Sequence, residues 1–256
     1  VAAKGEVPID PARSLSLLWG THGKVGRSGL TVDAIVDAAI DIADRDGVDA
    51  VSMRRIAEQL GVGAMSLYTH VPGKSDLIDL MTDRVVGELY DDVDEPSRVH
   101  GGWRGALTYI AERNWELYQR HSWLPHLDHH RPVLGPNTTG NYEAELRPLD
   151  GLGLTDVEMD SALSLVLTHV AGTAKALTTV KQTTAESGMT DAQWWSVTGP
   201  ILAELVDPER YPVSSRVGTA TGVEFDAPSS PAHAMQFGLD RILDGIGVLI
   251  DQRRSS

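Results

Sequence analysis

Residues 52–74, Ser52-Met-Arg-Arg-Ile-Ala-Glu-Gln-Leu-Gly-Val-Gly-Ala-Met-Ser-Leu-Tyr-Thr-His-Val-Pro-Gly-Lys74, carry two short helical patterns hinged on one glycine. Ser52 offers a hydroxyl to an orphan helix N–H, and apolar residues recur at Met53, Ile56, Ala57 and Leu60, which is one face of a helix. Gly61 stands where a positive φ would end that helix, and Val62 can plug the angle to the next. The spacing predicts a second helix from Ala64 to about His70, with Leu67 inward and Met65, Ser66, Tyr68 and Thr69 outward. Pro72-Gly73 breaks the chain again, and Lys74-Ser75-Asp76-Leu77 opens a longer helix with an acid in its first turn. The pattern is a helix-turn-helix, and the outward row of its second helix is what a DNA major groove would meet.

Helix, glycine turn and helix also occur in all-α cores that bind no nucleic acid, so the wider string matters. Residues 31–90 closely resemble the DNA-binding domain of the tetracycline-repressor (TetR) family of bacterial transcription regulators. The resemblance rests on a capped first helix at Thr31-Val32, the Met-Arg-Arg-Ile-Ala-x-x-Leu-Gly-Val helix and turn, the Leu-Tyr-x-His-Val segment and Lys74. It implies that Arg54 reads a base, for which a guanidinium fork on guanine suits. Arg55 is either a second reader or a phosphate contact. Ser52, Tyr68, His70 and Lys74 match positions that touch or flank the phosphate backbone, which fixes register. Tyr68 has a second reading as a partly buried ring. The recognition segment Gly63-Ala64-Met65-Ser66 offers one hydroxyl, so specificity is expected from Arg54, from methyl contacts of Ala64 and Met65, and from DNA shape. Thr69 replaces a bulkier ring of the reference repressor, so that operator does not carry over.

Composition sets bounds around this head. The chain has 256 residues, 41% of them hydrophobic, enough to bury a core, and no cysteine, hence no disulfide or thiolate site. The apolar runs read as too short to span a bilayer and no leader pattern is seen, so the cytoplasm and no membrane partner are expected. A net charge of −14 runs against a nucleic-acid partner only in bulk, because binding depends on local potential. Residues 1–90 carry 9 basic against 13 acidic residues, and residues 91–256 carry 13 against 23. Residues 11–32 hold Arg13, Lys24 and Arg27 with no acid, whereas Asp33, Asp37, Asp41 and Asp44 belong to a solvent face of the first helix. Residues 1–30 are therefore either a flexible basic arm for the minor groove or a disordered leader, and Leu15, Leu17, Leu18 and Trp19 offer a third reading in which they pack back on the domain.

The rest of the chain reads as all-α, with no alternating strand pattern. The first helix runs from Thr31 to Asp46 with Val32, Ile35, Val36, Ala39, Ile40 and Ala43 inward, and Gly47 stops it. The linking helix runs from Lys74 to about Tyr90 and presents Leu77, Ile78, Met81, Val85 and Leu89 on one side. The Asp91–Pro96 run marks the boundary between the head (31–90) and a second domain (91–256). Further helices are expected over 103–121, 137–150 and 155–186, and residues 206–231, with four prolines, as a long mobile connection. Met235, Leu239, Ile242, Ile246 and Leu249 step by 4, 3, 4 and 3, the spacing of a helix packed lengthwise on another, either in a homodimer or in the monomer's own core.

The resemblance extends to the effector-binding and dimerisation domain of the tetracycline-repressor-like branch, through Arg131-Pro-Val-Leu-Gly-Pro-Asn137 and the long helix after Leu154-Thr155. It implies a homodimer in which two C-terminal helices per subunit form a four-helix interface. It also implies a small-molecule effector held by Tyr90, Ile110, Asn114, Leu117, Val133, Leu134, His169 and Thr173, an apolar pocket with a few polar fixers. Val133 replaces the histidine that binds magnesium–tetracycline, so an effector that depends less on metal is expected and no cofactor is implied. His121, His126, His129 and His130 form the one metal-like cluster, but they straddle Pro125 and Pro132 without cysteine and read better as surface or pocket-mouth histidines. Trp194-Trp195 reads as sealing the bundle rather than lining a cavity. Function then follows as a regulator, most simply a repressor of a palindromic double-stranded DNA operator, whose heads are swung apart by the effector through the linking helix. A metal-responsive or corepressor-dependent regulator is the alternative. An enzyme is remote, since no Gly-x-Ser-x-Gly elbow, phosphate loop or His-Glu-x-x-His motif is present.

Overall fold

In the computed structural model, residues 10–20, 30–127 and 131–255 are described, and among them the chain is all helix and loop. The first three helices of the head begin where the sequence supplies a side-chain cap, and the next two begin at Gly63 and Gly73 without one. α1 (Pro11–Leu18) is capped by Asp10, whose side chain accepts from Ala12 N and Arg13 N. α2 (Val32–Asp46) is capped by Thr31 and stopped by Gly47 at φ 83°. α3 (Met53–Leu60) is capped by Ser52 and ends at Gly61, left-handed at φ 67°, where a side chain would be strained. α4 (Ala64–Tyr68) is shorter than expected, and α5 (Lys74–Val86) stops at Gly87 rather than continuing to Tyr90.

The second domain opens with α6 (Gly102–Arg120) and α7 (Pro136–Leu146). α8 (Asp156–Ser187) has a reciprocal capping box between Thr155 and Glu158, and α9 (Asp191–Leu205) has another between Thr190 and Gln193. α10 (Pro212–Phe225) and α11 (Pro231–Arg254) complete the chain. α10 corrects the expectation of a long mobile connection over 206–231: Pro212 sits in the first turn, where its missing N–H costs no bond.

Two hydrophobic clusters result. The first gathers Ile35, Ile42, Ile56, Leu67, Val71, Leu77 and Met81 of the head, and also Leu117, Trp123 and Leu124 from the second domain. The second joins Leu107, Ile110, Leu149, Leu163, Val166, Leu239 and Ile246, with α8 lying between α6 and α11. Tyr90 and Tyr118 pack against both clusters, so they mark the seam between head and bundle. α8 also exceeds the expected apolar length: it is long and apolar enough to cross a membrane by composition, with an 18-residue window of mean hydropathy 1.2. Its Ala162, Leu163, Val166, Val170 and Ala174 are buried against neighbouring helices.

Residues 11–18 do not form a free arm. Ser14 Oγ donates to Asp76 Oδ1 at 2.6 Å, Arg13 pairs with Asp76 at 3.6 Å, and Trp19 Nε1 donates to the Leu134 carbonyl at 2.9 Å. α1 is thereby tied to the start of α5 and to the segment before α7. Leu15 and Trp19 remain 44% and 49% exposed while Leu17 and Leu18 are half-buried, so polar anchors and partial burial together fix it. Lys24 and Arg27, the other two cations of the expected arm, lie outside the described residues. Asp33 and Asp37 face Arg84 of α5, Asp41 accepts from Gln59 and Asp46 from Arg55 of α3, and Asp44 accepts from Trp123, so all five acids on α2 have partners beyond their own helix.

Candidate nucleic-acid interface and effector site

The turn after Gly61 sets α4 across α3 with Leu67 and Ile56 fully buried between them. That packing pushes the opposite residues outward: Met65 is 77% and Tyr68 46% exposed, and Ser66 and Lys74 are exposed beside a half-buried Ala64 and His70. Thr69 is exposed, but its hydroxyl donates to the Ser66 carbonyl at 2.6 Å and caps the short helix from within. Arg54 stands out from the first turn of α3 with its side chain 84% exposed, its Nε donating to Glu58 Oε1 at 2.9 Å. Arg55 donates to Asp46, whose carboxyl is held below its usual range first by the Arg45 hydrogen bond and then by the two arginine charges. Ser52 spends its oxygen on the Arg55 amide at 3.3 Å. Of the ten expected DNA-facing residues, Ser52, Arg54, Met65, Ser66, Tyr68, Thr69 and Lys74 are exposed and Arg55, Ala64 and His70 half-buried, with both arginines resting on acids of their own chain.

Of the expected effector residues, Tyr90 and Asn114 meet on a third residue the sequence reading missed. Glu145, 5% exposed on α7, accepts from Tyr90 Oη at 2.8 Å and from Asn114 Nδ2 at 3.3 Å. Burial is the largest influence and pushes its carboxyl up to about 7, opposed by those two hydrogen bonds. The Tyr90 hydroxyl is pushed up by burial and by Glu145's charge, and Tyr118 is pushed up to about 12 for the same reasons. The remaining residues scatter. Ile110 and Leu117 are filled into different cores, and Val133 is buried. Leu134 is 58% exposed, which corrects its placement as a pocket wall: its carbonyl is turned to Trp19. His169 Nε2 lies 2.9 Å from the Met235 carbonyl and Thr173 donates back to the His169 carbonyl, so both are engaged along α8 and α11.

Glu145 is the last rung of a ladder along α7. Asp83 of α5, 5% exposed, accepts from Thr138 N at 2.9 Å, Thr138 Oγ1 at 3.0 Å, Asn137 N at 3.4 Å and Asn137 Nδ2 at 3.2 Å. Asn141 Nδ2 donates to the Val86 carbonyl at 2.7 Å. Residues 137, 141 and 145 are four apart, one face of a helix, and they meet residues 83, 86 and 90 in turn. α7 has no side-chain cap of its own, and Asp83 supplies one from another helix. Gly135 makes room for it, since a Cβ there would lie 2.1 Å from Asp83 Oδ1. A polar i, i+4, i+8 stripe was visible in the sequence, but such a stripe ordinarily marks a solvent face.

Known proteins meet this architecture at both ends. The family of bacterial regulatory proteins, tetR family, matches residues 35–81, and the tetracyclin repressor-like C-terminal domain matches residues 95–250. The chain belongs to the TetR family. The transcriptional repressor DrrR1 of Streptomyces coeruleorubidus is 41% identical over 249 residues, 96% of this chain and 88% of that one. An HTH-type transcriptional regulator of Saccharopolyspora erythraea is 37% identical over 149 residues, 57% of this chain and 61% of that one. Apo ActR of Streptomyces coelicolor superposes with a TM-score of 0.68 at 25% identity, over 87% of this chain and 97% of ActR. ActR in complex with actinorhodin shares the fold, with a TM-score of 0.64 at 24% identity over 86% and 98%.

In this TetR-family chain the heptad stripe on α11 turns inward. Met235, Leu239 and Ile246 are buried with Leu243 and Ile250 in the monomer's own second core, and Ile242 and Leu249 are half-buried. The stripe therefore closes the monomer, correcting its assignment as the dimer contact, because lengthwise packing on α8 of the same chain already satisfies the heptad spacing. The outward faces of α8 and α11 instead show Leu165, Phe237 and Val248, each 56–58% exposed. Trp194 is 45% exposed and α9 and α10 contain no buried residue, so the tryptophan pair does not seal the bundle. The histidine cluster is divided as well. His121 is buried with Nδ1 2.8 Å from Asp44 Oδ1, His126 Nε2 lies 2.7 Å from Thr178 Oγ1, and His129 and His130 lie outside the described residues.

Proposed function

We propose that this TetR-family regulator is a repressor that grips a palindromic operator as a homodimer and lets go when a small molecule enters the seam at Tyr90, Asn114 and Glu145. The observation that carries the reading is a helix pair whose inner side is fully packed and whose Arg54, Met65 and Tyr68 stand exposed. Arg54 supplies direct base readout, Arg55, Ser52, Tyr68, His70 and Lys74 phosphate contacts, and Ala64, Met65, Ser66 and Thr69 the surface that follows groove shape. Work on chromosomal DNA places the protein in the cytoplasm, as a binding protein rather than an enzyme. The head extends to about residue 90 and the effector and dimerisation domain from there onward. The second copy docks on the outward faces of α8 and α11.

Release follows from the seam. Glu145 and Asp83 lie on one ladder between α7 and α5, and α5 carries the head. A ligand that spreads Tyr90 from Glu145 changes the angle of α5 and hence the head separation, provided it binds the spread state better. Purified protein incubated with fragmented genomic DNA of its source, washed at moderate salt and sequenced, tests the reading. A recovered palindrome is the expected result. No enrichment, from free protein or from protein preincubated with divalent metals or cell metabolite extract, overturns it.

A further inference from the structure

We infer that Glu58 is a specificity-determining residue, and that Arg54 and Glu58 together read one G·C base pair in each half of the operator; the inference rests on the head being a DNA reader. Arg54 lies in the first turn of α3 and Glu58 one turn later on the same face, with side chains 84% and 62% exposed. Arg54 Nε donates to Glu58 Oε1 at 2.9 Å, and its two Nη groups have no partner among the described residues. The pair therefore offers two donors on Arg54 and, beside them, a carboxylate acceptor on Glu58. In the major groove guanine presents N7 and O6 as acceptors, and its cytosine presents the N4 amino group as a donor. Donors and acceptor on the pair complement that edge in one orientation and mismatch the other three base pairs.

Helix stability does not account for the pair. Arg54 sits at the N-terminal end of an eight-residue helix and Glu58 in its last turn, so both charges oppose the helix dipole. An exposed i, i+4 ion pair adds little to a fold, and the acid here follows the base, which is the weaker order. Glu58 is also the one acid among residues 52–74. A carboxylate on that face repels the phosphates of every sequence alike, and a cytosine amino group offsets the repulsion where it is met. The neighbours leave direct reading to this pair. Ala64 and Met65 of α4 have no side-chain hydrogen bond to donate, and the Thr69 hydroxyl is turned to the Ser66 carbonyl at 2.6 Å. Arg55 is half-buried and held by Asp46, which Arg45 also holds.

The test selects and sequences randomised double-stranded DNA with the full chain as wild type, R54A and E58A. Wild type is expected to require one G·C pair per half-site, with any other pair there binding about tenfold or more weakly. E58A should relax the same position that R54A relaxes, to a preference of about threefold or less, leave the other positions unchanged, and bind scrambled DNA more tightly than wild type. The double variant should discriminate no worse than R54A alone. Wild-type preferences in E58A, relaxation at a position that R54A does not touch, or an equal loss at every position would each overturn the inference. Circular dichroism checks the fold. Should E58A fail to fold, E58Q, which keeps an acceptor for Arg54 without the charge, decides by the same position and the same gain on scrambled DNA. A palindrome selected alike by wild type and E58A refutes this inference alone, whereas no sequence selected by wild type refutes the regulator reading and this inference with it.

Discussion

Glu145 joins stability to pH in a direction opposite to that of most acids. Its folded pKa, about 7, lies above the ordinary carboxyl value, so the folded protein binds the proton more tightly than the unfolded chain does. Its contribution is complete below the unfolded value, near 4.5, and is lost as pH rises through 7. E145Q, which mimics the protonated form, should therefore be more stable than wild type at pH 8, by on the order of 2 kcal/mol, and nearly equal at pH 5. Melting temperatures at the two pH values check this, and an equal difference at both would remove the titration from the account. On the DNA side, Arg54→Ala should cost about 1–3 kcal/mol in operator affinity and flatten selectivity, measured by competition with scrambled DNA. The chemistry of this face was legible because it depends on short-range order in one contiguous string. Glu145 was not, because its burial depends on Tyr90 and Asn114, which are 55 and 31 residues away.

Among the helices, those with caps and a single apolar face could be placed from the sequence: α2 and α8 begin and end within a residue or two of expectation. α10 was missed because Pro, Gly, Ser and Thr dominate Pro212–Phe225 and no residue in it is buried, leaving no periodicity to read. α7 is a different case, since its first turn is completed by a residue 54 or 55 positions earlier. Asp83→Ala should lower stability by about 1–2 kcal/mol through loss of that cap, and hydrogen exchange should quicken first in the opening turn of α7. Gly135→Ala should do at least as much damage, because its Cβ would collide with the Asp83 carboxylate. Unchanged exchange at residues 137–141 in both variants would deny the capping role.

For the molecule as a whole, the two faces of α11 make separable demands. Leu239 is fully buried, so Leu239→Glu should unfold the second domain rather than release intact monomers. Val248→Asp and Phe237→Asp alter only exposed positions and should give folded monomers with weakened operator binding, as read by light scattering and circular dichroism. A dimer surviving both changes would move the interface away from this face. The heptad stripe pointed to lengthwise packing, but periodicity alone does not say whether the partner helix belongs to the same chain.

The ladder also bears on modularity. The two family regions, residues 35–81 and 95–250, leave Asp83 through Tyr90 in neither, yet these residues finish the first turn of α7 and hold its last buried acid. A hybrid repressor spliced in that interval would pair one parent's α5 with the other's α7. It would inherit a headless helix on one side and orphaned acceptors on the other, unless residues 83–90 travel with the C-terminal half. Operator specificity should therefore be exchangeable among relatives by grafting the segment before Thr82, whereas later crossover points should produce proteins that still bind DNA but no longer answer their effector.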